Sequence, residues 1–282
     1  MLDLDFEDLD KFLSSHKNKI IHQIWFGTIP NKKEARKAYD KLKLYRNSWI
    51  INNPSWFRME WNKKQCEQLI KLCYSEHFET YKNYKYEIQR CDFVRYLILH
   101  RYGGWYADMD YYCCKPIDEA MKQFQNEIFF VQTPNGYFGD IDHISNSLMY
   151  SISNHPFWKQ LLIVLERERS VPLFYTKHLE VMFTTGPGIL NRIYLKYKDA
   201  YKVKSLPWKQ FHPFGILDDK LSLKTDENIF TIHIGKGSWE SKDSKFLIFL
   251  ATNWFIIIFI FVIMMIPFFF YLTTKKSLPK SS

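Results

Sequence analysis

The sequence predicts an α/β domain followed by an apolar carboxyl-terminal tail. Three observations carry the prediction. Short apolar runs of strand length stand between longer segments with helical periodicity. About 245 of the 282 residues precede the tail, enough for one domain with a proper core and no obvious second one. Residues 87–118, EIQRCDFVRYLILHRYGGWYADMDYYCCKPID, place a helix, a diglycine, a short strand and a D-x-D in one continuous unit.

The elements follow in order. In residues 1–18, Leu2, Phe6, Leu9 and Leu13 fall on one face of an amphipathic helix. This stretch is acidic and lacks an apolar core of signal-peptide length, so no amino-terminal secretion signal is expected. Residues 19–27, KIIHQIWFG, read as the first core strand, with Trp25 at its carboxyl end. Residues 32–46 read as a charged surface helix, Ser48-Trp49 and Asn52-Asn53-Pro54 as a turn, and 56–61 as a second strand. Asn62 is placed to cap a helix over 63–73. In the central unit, Val94, Leu97, Ile98 and Leu99 make a mostly apolar helix with Asp92 and Arg95 one turn apart. Gly103 and Gly104 stop it, because glycine tolerates the left-handed conformation that closes a helix. Residues 105–107 form a short strand that delivers Asp108 and Asp110 at its carboxyl end, where α/β sheets bind ligands. Pro116 closes the unit. Further on, 127–132 read as a buried strand and 157–169 as a helix with Leu161, Leu162 and Leu165 inward. Thr184-Thr185-Gly186-Pro187-Gly188 is a loop opening a helix at Ile189; it lacks the lysine of a P-loop, which excludes an ATPase reading. Residues 229–237, IFTIHIGKG, read as a strand carrying His233, and Ser238-Trp239 follow.

Charge and composition narrow the function classes. The formal net charge is +9, of which Lys275, Lys276 and Lys280 supply three beyond the apolar tail. The rest is spread among many acids, which argues against nucleic acid as a partner and leaves anionic lipid, a phosphorylated substrate or solvated lysines open. The five cysteines (Cys66, Cys73, Cys91, Cys113 and Cys114) form no C-x-x-C pair. They read as reduced thiols rather than a zinc site or a disulfide framework.

The chemistry lies in the D-x-D. Mg²⁺ and Mn²⁺ take a few carboxylates together with a substrate's own phosphate oxygens, so Asp108 and Asp110 suit capture of a divalent cation and, through it, a diphosphate. Acidic pairs one residue apart are common on surfaces. This pair differs in following Gly-Gly and lying among Trp, Tyr, Met and Cys. A phosphatase of the D-x-D-x-[T/V] kind is excluded, because Tyr112 stands where Thr or Val is wanted and no long apolar strand precedes Asp108.

Cys91-Asp92-x-x-Arg95, continued by Gly103-Gly104-x-Tyr106-x-Asp108-x-Asp110, resembles the D-x-D sugar-binding family of retaining glycosyltransferases. That family includes the fungal initiating α-1,6-mannosyltransferase and the inositolphosphoceramide mannosyltransferases, with the large glucosylating bacterial toxins more distant. Cys91 stands where the family usually has Ser. The KIIHQIWFG, SW…NP…W, TGPG and His233…Trp239 segments fit in the same order, so the resemblance runs from about Lys19 to Trp239. It implies a GT-A type domain over residues 19–245 with a Rossmann-like α/β sheet, a nucleotide-diphosphate sugar donor, and Mn²⁺ or Mg²⁺. The implied catalytic set is Asp92, Arg95, Asp108 and Asp110: the first pair orients the sugar and neutralises phosphate, the second holds metal and ribose. His233 is implied as the third metal ligand, and neutral imidazole suits Mn²⁺ better than Mg²⁺. The implied substrate-binding residues are Trp25, stacking on the base, Gly104 and Tyr106 of the motif, Asn146 on the acceptor side, and Ser238 and Trp239 over the leaving phosphate. The same likeness implies retention of the anomer, GDP-mannose as first donor, and a lipid or glycan acceptor such as inositolphosphoceramide. Read from residues alone, Trp25 and His233 are equally core residues, and Asn146 is equally a helix cap. A metal-dependent nucleotide-sugar hydrolase and a membrane-anchored binding protein with an inactive site stay open as other classes.

Residues 246–272 are apolar, interrupted mildly by Thr252, Asn253 and Pro267. About 20 apolar residues span a bilayer, so a transmembrane helix is expected, with Trp254 and Tyr271 near its two interfaces. A short basic tail, 273–282, follows. Its lysines favour a cytosolic tail by the positive-inside rule, but Lys236, Lys242 and Lys245 flank the other side and leave the charge bias slight. The absence of an amino-terminal signal leads to the expectation of a single-pass carboxyl-terminal anchor with the catalytic domain on the cytosolic side.

Overall fold

The computed structural model describes residues 5–27, 31–134, 143–168, 171–172, 175–214, 227–235, 253 and 262–267. The chain divides into two compact units. One comprises residues 1–175 and 179–238, the other 176–178 and 239–282.

The first unit is mixed α/β. It opens with α1 (Phe6–Ser15), β1 (Ile20–Ile24), α2 (Lys32–Lys41), α3 (Lys43–Asn52), β2 (Phe57–Trp61), α4 (Lys63–Cys73) and α5 (Phe78–Asn83). The central unit supplies α6 (Glu87–Tyr102), β3 (Gly104–Ala107), β4 (Tyr111–Cys113) and α7 (Ile117–Phe124). The remainder is β5 (Ile128–Gln132), β6 (Ile144–Ser151), α8 (Phe157–Arg167), α9 (Lys177–Thr184), α10 (Pro187–Tyr197), β7 (Lys204–Leu206), α11 (Trp208–Phe211) and β8 (Thr231–His233). Six strands form one sheet in the order β2-β1-β3-β6-β5-β7. β1 runs parallel to β2 and β3, whereas β6 runs antiparallel to β3 and β5. The α/β expectation thus holds, while the sheet is mixed rather than uniformly parallel. Phe93, Tyr96, Leu97 and Leu99 of α6 join one core cluster, and Ile21, Trp105, Phe129 and Leu148 belong to a second.

Several elements match the sequence closely because local chemistry decides them. Asn62 accepts from the Gln65 N–H while the Gln65 side chain accepts from the Asn62 N–H, a capping box that starts α4 at Lys63. Asp5 caps α1, whose Phe6, Leu9 and Leu13 are buried. Elsewhere tertiary contacts override the local pattern. The helix expected over 32–46 is two helices, and Ser48-Trp49, expected in a turn, lie inside α3. Trp49 is fully buried and donates its indole N–H to the Tyr111 carbonyl at 3.0 Å. Ser48 Oγ accepts from the Cys113 N–H at 2.8 Å, and Asn52 donates to the Cys113 carbonyl at 2.9 Å. The helix continues because β4 receives it. Of the strand expected over 229–237, the described residues 229–235 contain only β8, which pairs with β4 in a two-stranded ribbon apart from the main sheet. Residues 144–151, buried on both faces, form β6 with no alternation to announce a strand.

In the second unit, residues 262–267 are helical, and Val262, Ile263, Met264 and Ile266 are exposed. Among the described residues no helix is long and apolar enough to cross a membrane. Most of the span expected over 246–272 lies outside the described residues.

The diglycine sets the position of everything that follows it. Gly103 closes α6 at φ 64°, with its N–H on the Leu99 carbonyl at 3.0 Å. Its own carbonyl accepts from buried His22 Nε2 at 2.9 Å, and His22 Nδ1 in turn accepts from the Trp61 indole at 3.1 Å. Burial drives the His22 pKa down to about 3, against the pull of the Gly103 carbonyl, so the ring stays neutral and keeps this tautomer. Gly104 has φ 91°, and a Cβ there would lie 2.2 Å from the Ile20 carbonyl oxygen of the adjacent strand. At Gly27, also at positive φ, a Cβ would meet, among the described residues, only the Trp25 ring, with Nε1 at 3.4 Å and Cδ1 at 3.9 Å. Both alanine substitutions incur backbone strain of about 1–3 kcal/mol, and only Gly104→Ala adds a backbone clash. Urea unfolding should therefore show Gly104→Ala as the more destabilising change by at least about 1 kcal/mol. Equal midpoints would mean that the β1–β3 approach is not the constraint.

Candidate active site

β1 and β3 run parallel with Ile21 beside Trp105 and His22 beside Tyr106. The chain therefore leaves both strands at the same edge of the sheet, Trp25 from one and Asp108 from the other. Asp108 is fixed by its backbone N–H, which donates to the Ser147 carbonyl of β6 at 2.8 Å. Three residues later the chain enters β4, whose register places Tyr111 opposite His233 of β8. One ligand atom from each of Asp108, Asp110 and His233 lies within 4.8 Å of the other two. Among the described residues this is the one group of three or more His, Cys, Asp or Glu so arranged. The three side chains are partly open to solvent, at 30%, 17% and 18% exposure. His233 Nε2 is 3.3 Å from Asp110 Oδ1, and its ring stacks on Tyr111 at 4.5 Å and 11°. Hard carboxylate oxygens with one imidazole nitrogen fit Mn²⁺ or Mg²⁺.

Behind this group lies a buried ion-pair network. Arg95 and Asp92, one turn apart on α6, pair at 3.0 Å, and Arg95 Nη1 reaches Asp108 Oδ1 at 3.2 Å. The same Nη1 donates to the Asn146 carbonyl at 2.8 Å, and the guanidinium lies 4.6 Å over the Tyr106 ring. Tyr106 Oη donates to Asp108 Oδ1 at 2.8 Å. Asn146 Nδ2 donates to Asp92 Oδ1 at 2.9 Å and to Tyr96 Oη at 3.0 Å. Thr185 Oγ1 donates to Asp92 Oδ2 at 3.3 Å, and Tyr96 Oη donates to the Thr185 carbonyl at 2.7 Å. The Thr184-Thr185-Gly186 segment is thus the far wall of the Asp92 pocket.

Burial pushes the Asp92 carboxyl up to about 6; Arg95 opposes the shift and Asp108 adds to it. Burial also raises Asp108, with Arg95 again opposing and Asp110 reinforcing. Burial alone would lower Arg95, but the charge of Asp108 and further anionic neighbours outweigh it, so the guanidinium stays charged.

The expected site residues divide cleanly. Asp92, Arg95, Tyr106, Asp108, Asp110, Asn146 and His233 come together. Asn146 lies within β6 and caps no helix; its amide is committed to Asp92 and Tyr96. Tyr106 is buried under Arg95, and Gly104 is buried against Ile20, so any influence on a substrate passes through their neighbours. Trp25 is half-buried beside Tyr39, with ring centroids 5.7 Å apart. Ser238 and Trp239 lie outside the described residues. Tyr96, Thr185, Tyr111 and His212 were not singled out beforehand as members of this cluster. Thr185 was visible as part of the TTGPG loop; His212 had no sequence signal, being placed only by the fold.

Comparison with known proteins gives this arrangement its context. Residues 39–127, which include α6, the diglycine and the D-x-D, match the family described as "Glycosyltransferase sugar-binding region containing DXD motif". An inositol phosphoceramide mannosyltransferase of Schizosaccharomyces pombe is 27% identical over 247 residues, covering 86% of this chain and 61% of the relative. An initiation-specific alpha-1,6-mannosyltransferase of Candida albicans is 38% identical over 104 residues, covering 36% of this chain and 26% of that one. The chain thus spans about three-fifths of the first relative's length and about a quarter of the second's. Among solved structures, the PaToxG glycosyltransferase superposes with a TM-score of 0.44 at 16% identity, over 69% of this chain and 76% of that one. The D-x-D of Asp108 and Asp110 lies within the matched residues.

The raised Asp92 pKa has a stability consequence with a definite sign. Its folded pKa of about 6 lies above the unfolded value of about 3.9, so the folded state keeps a proton that the unfolded chain releases. Its contribution is complete below the unfolded value and is lost as pH rises through about 6. The shift corresponds to roughly 3 kcal/mol between pH 4 and 7. Asp92→Asn should remove that slope from urea-derived stabilities measured across this window; an unchanged slope would place the titration elsewhere.

Proposed function

We propose that the protein is a metal-dependent retaining glycosyltransferase of GT-A type. It moves a hexose, with mannose from GDP-mannose as first donor, from a nucleotide sugar to a membrane-associated acceptor such as inositolphosphoceramide. The observation that carries the reading is the convergence of Asp108, Asp110 and His233 at the end of β3 with Arg95 directly behind. Asp108, Asp110 and His233 would hold Mn²⁺ or Mg²⁺, and a divalent cation there supplies positive charge to a leaving diphosphate.

The chain's own residues do the rest. Arg95 fixes one Asp108 oxygen and adds a buried positive charge behind the carboxylates. Asp92, with Asn146 and Thr185 on its two oxygens, holds the other side of that guanidinium. Trp25, at the same edge of the sheet, offers a partly open π-face to a nucleobase. Ser238 and Trp239 follow β8 by five and six residues and are assigned to the leaving phosphate by family likeness alone. Mannose and the inositolphosphoceramide acceptor are supported by the names of the fungal relatives. An anchor over 246–272 would keep the domain beside a lipid acceptor; protease protection in sealed vesicles reads which side the domain occupies, the cytosolic one if the anchor is inserted without an amino-terminal signal.

A panel of nucleotide sugars incubated with the full chain and Mn²⁺ tests the activity directly. GDP-mannose should be consumed in a metal-dependent way, faster when inositolphosphoceramide is present. Sugar release to water that no acceptor accelerates would favour a hydrolase. Asp110→Ala should lower turnover on the order of 100-fold, the usual scale for losing one electrostatic contact at developing charge, without moving the melting temperature. His233→Ala should be partly relieved by excess Mn²⁺. Full activity of Asp110→Ala at saturating donor would reject the metal site.

A further inference from the structure

β8 and α11 bring a second histidine to the site. His212 follows α11 directly, and its backbone N–H donates to the Trp208 carbonyl at 2.7 Å. Thr231 Oγ1 donates to the Phe211 carbonyl at 2.7 Å, the Phe230 N–H to the Gln210 carbonyl at 2.8 Å, and the Phe211 and Phe230 rings stack at 5.0 Å. The end of α11 just ahead of His212 is therefore fastened to Phe230 and to Thr231 of β8. His212 Nε2 sits 3.1 Å from His233 Nδ1, with the two rings edge to face at 4.7 Å and 79°. On the other side, the Tyr111 ring covers the His233 face, and Tyr111 is itself held by Ser147 and Trp49.

We propose that His212 is the residue that orients His233 for metal binding: it accepts the His233 Nδ1–H and so leaves the His233 Nε2 lone pair facing Asp108 and Asp110. This rests on the reading of Asp108, Asp110 and His233 as metal ligands. A ligating imidazole needs its second nitrogen occupied by an acceptor, which fixes both tautomer and ring plane. Here the acceptor is a second imidazole in place of a carboxylate. The ligand ring is thereby oriented without adding a third negative charge next to two carboxylates that already repel each other. His212 is a positioning residue and contributes no ligand atom.

Mn²⁺ binding to the full chain, followed by loss of the free-ion electron paramagnetic resonance signal without any donor, tests this. His212→Phe keeps a ring against Tyr111 and His233 but offers no acceptor, and it should weaken Mn²⁺ binding about 10- to 100-fold. His212→Gln, whose carbonyl can stand near the Nε2 position, should bind within a few-fold of wild type. Thermal melts in EDTA run beside both. Wild-type Mn²⁺ affinity in His212→Phe would overturn the proposal, as would equal weakening in His212→Phe and His212→Gln that tracks a lowered melting temperature. Asp110→Ala separates the layers. If it retains Mn²⁺ affinity, the metal-site reading itself fails; if it loses affinity while His212→Phe does not, only the role of His212 fails.

Discussion

The structure depends on one buried cation. Arg95 is 3% exposed, and a guanidinium so placed must find its neutralising partners inside the protein. It finds Asp92 on its own helix, Asp108 at the end of β3, the Asn146 carbonyl on β6, and the Tyr106 ring below. Each contact comes from a different direction, so α6, β3 and β6 cannot shift independently without stranding a charge. Ion pairs of this kind are weak evidence for stability, yet breaking one by removing a partner costs about 3–5 kcal/mol. The arrangement reads better as a device that fixes Asp108 than as one that strengthens the core.

That device explains why the diglycine is demanding. Asp108 can reach Arg95 only if β3 begins immediately after α6 and lies close against β1. Gly103 makes the turn, and Gly104 lets the backbone approach Ile20 at a distance that no side chain permits. His22 and Trp61 then lock the Gly103 carbonyl from the neighbouring strands. The result is a carboxylate whose direction is set by backbone packing one strand away.

Much of this was legible in the sequence, and the legible part was local. The capping box at Asn62, the amphipathic face of α1, the helix–diglycine–strand unit and the pairing of Asp92 with Arg95 all follow from spacing and residue type. The illegible part was long-range. Residues 144–151, ISNSLMYS, mix Ser and Asn with apolar residues in no strict alternation, so β6 and the inward aim of Asn146 went unread. Ser48 and Trp49 looked like turn residues until β4 was there to accept them. His212 lies in a stretch without periodicity or motif, and its partner is 21 residues away.

The ribbon of β4 and β8 also fixes when the site can come into being. Asp110 and His233 are separated by more than a hundred residues of chain, and they meet only through the register that pairs Tyr111 with His233. Closing so long a loop has a large entropic cost and offers no return until the flanking strands have docked. A nascent chain therefore carries its two aspartates long before it has the imidazole, and a fragment ending ahead of residue 231 lacks the third member of the cluster whatever its helices do. The complete Asp108, Asp110 and His233 cluster is a late product of folding, and its assembly coincides with arrival of the last described strand.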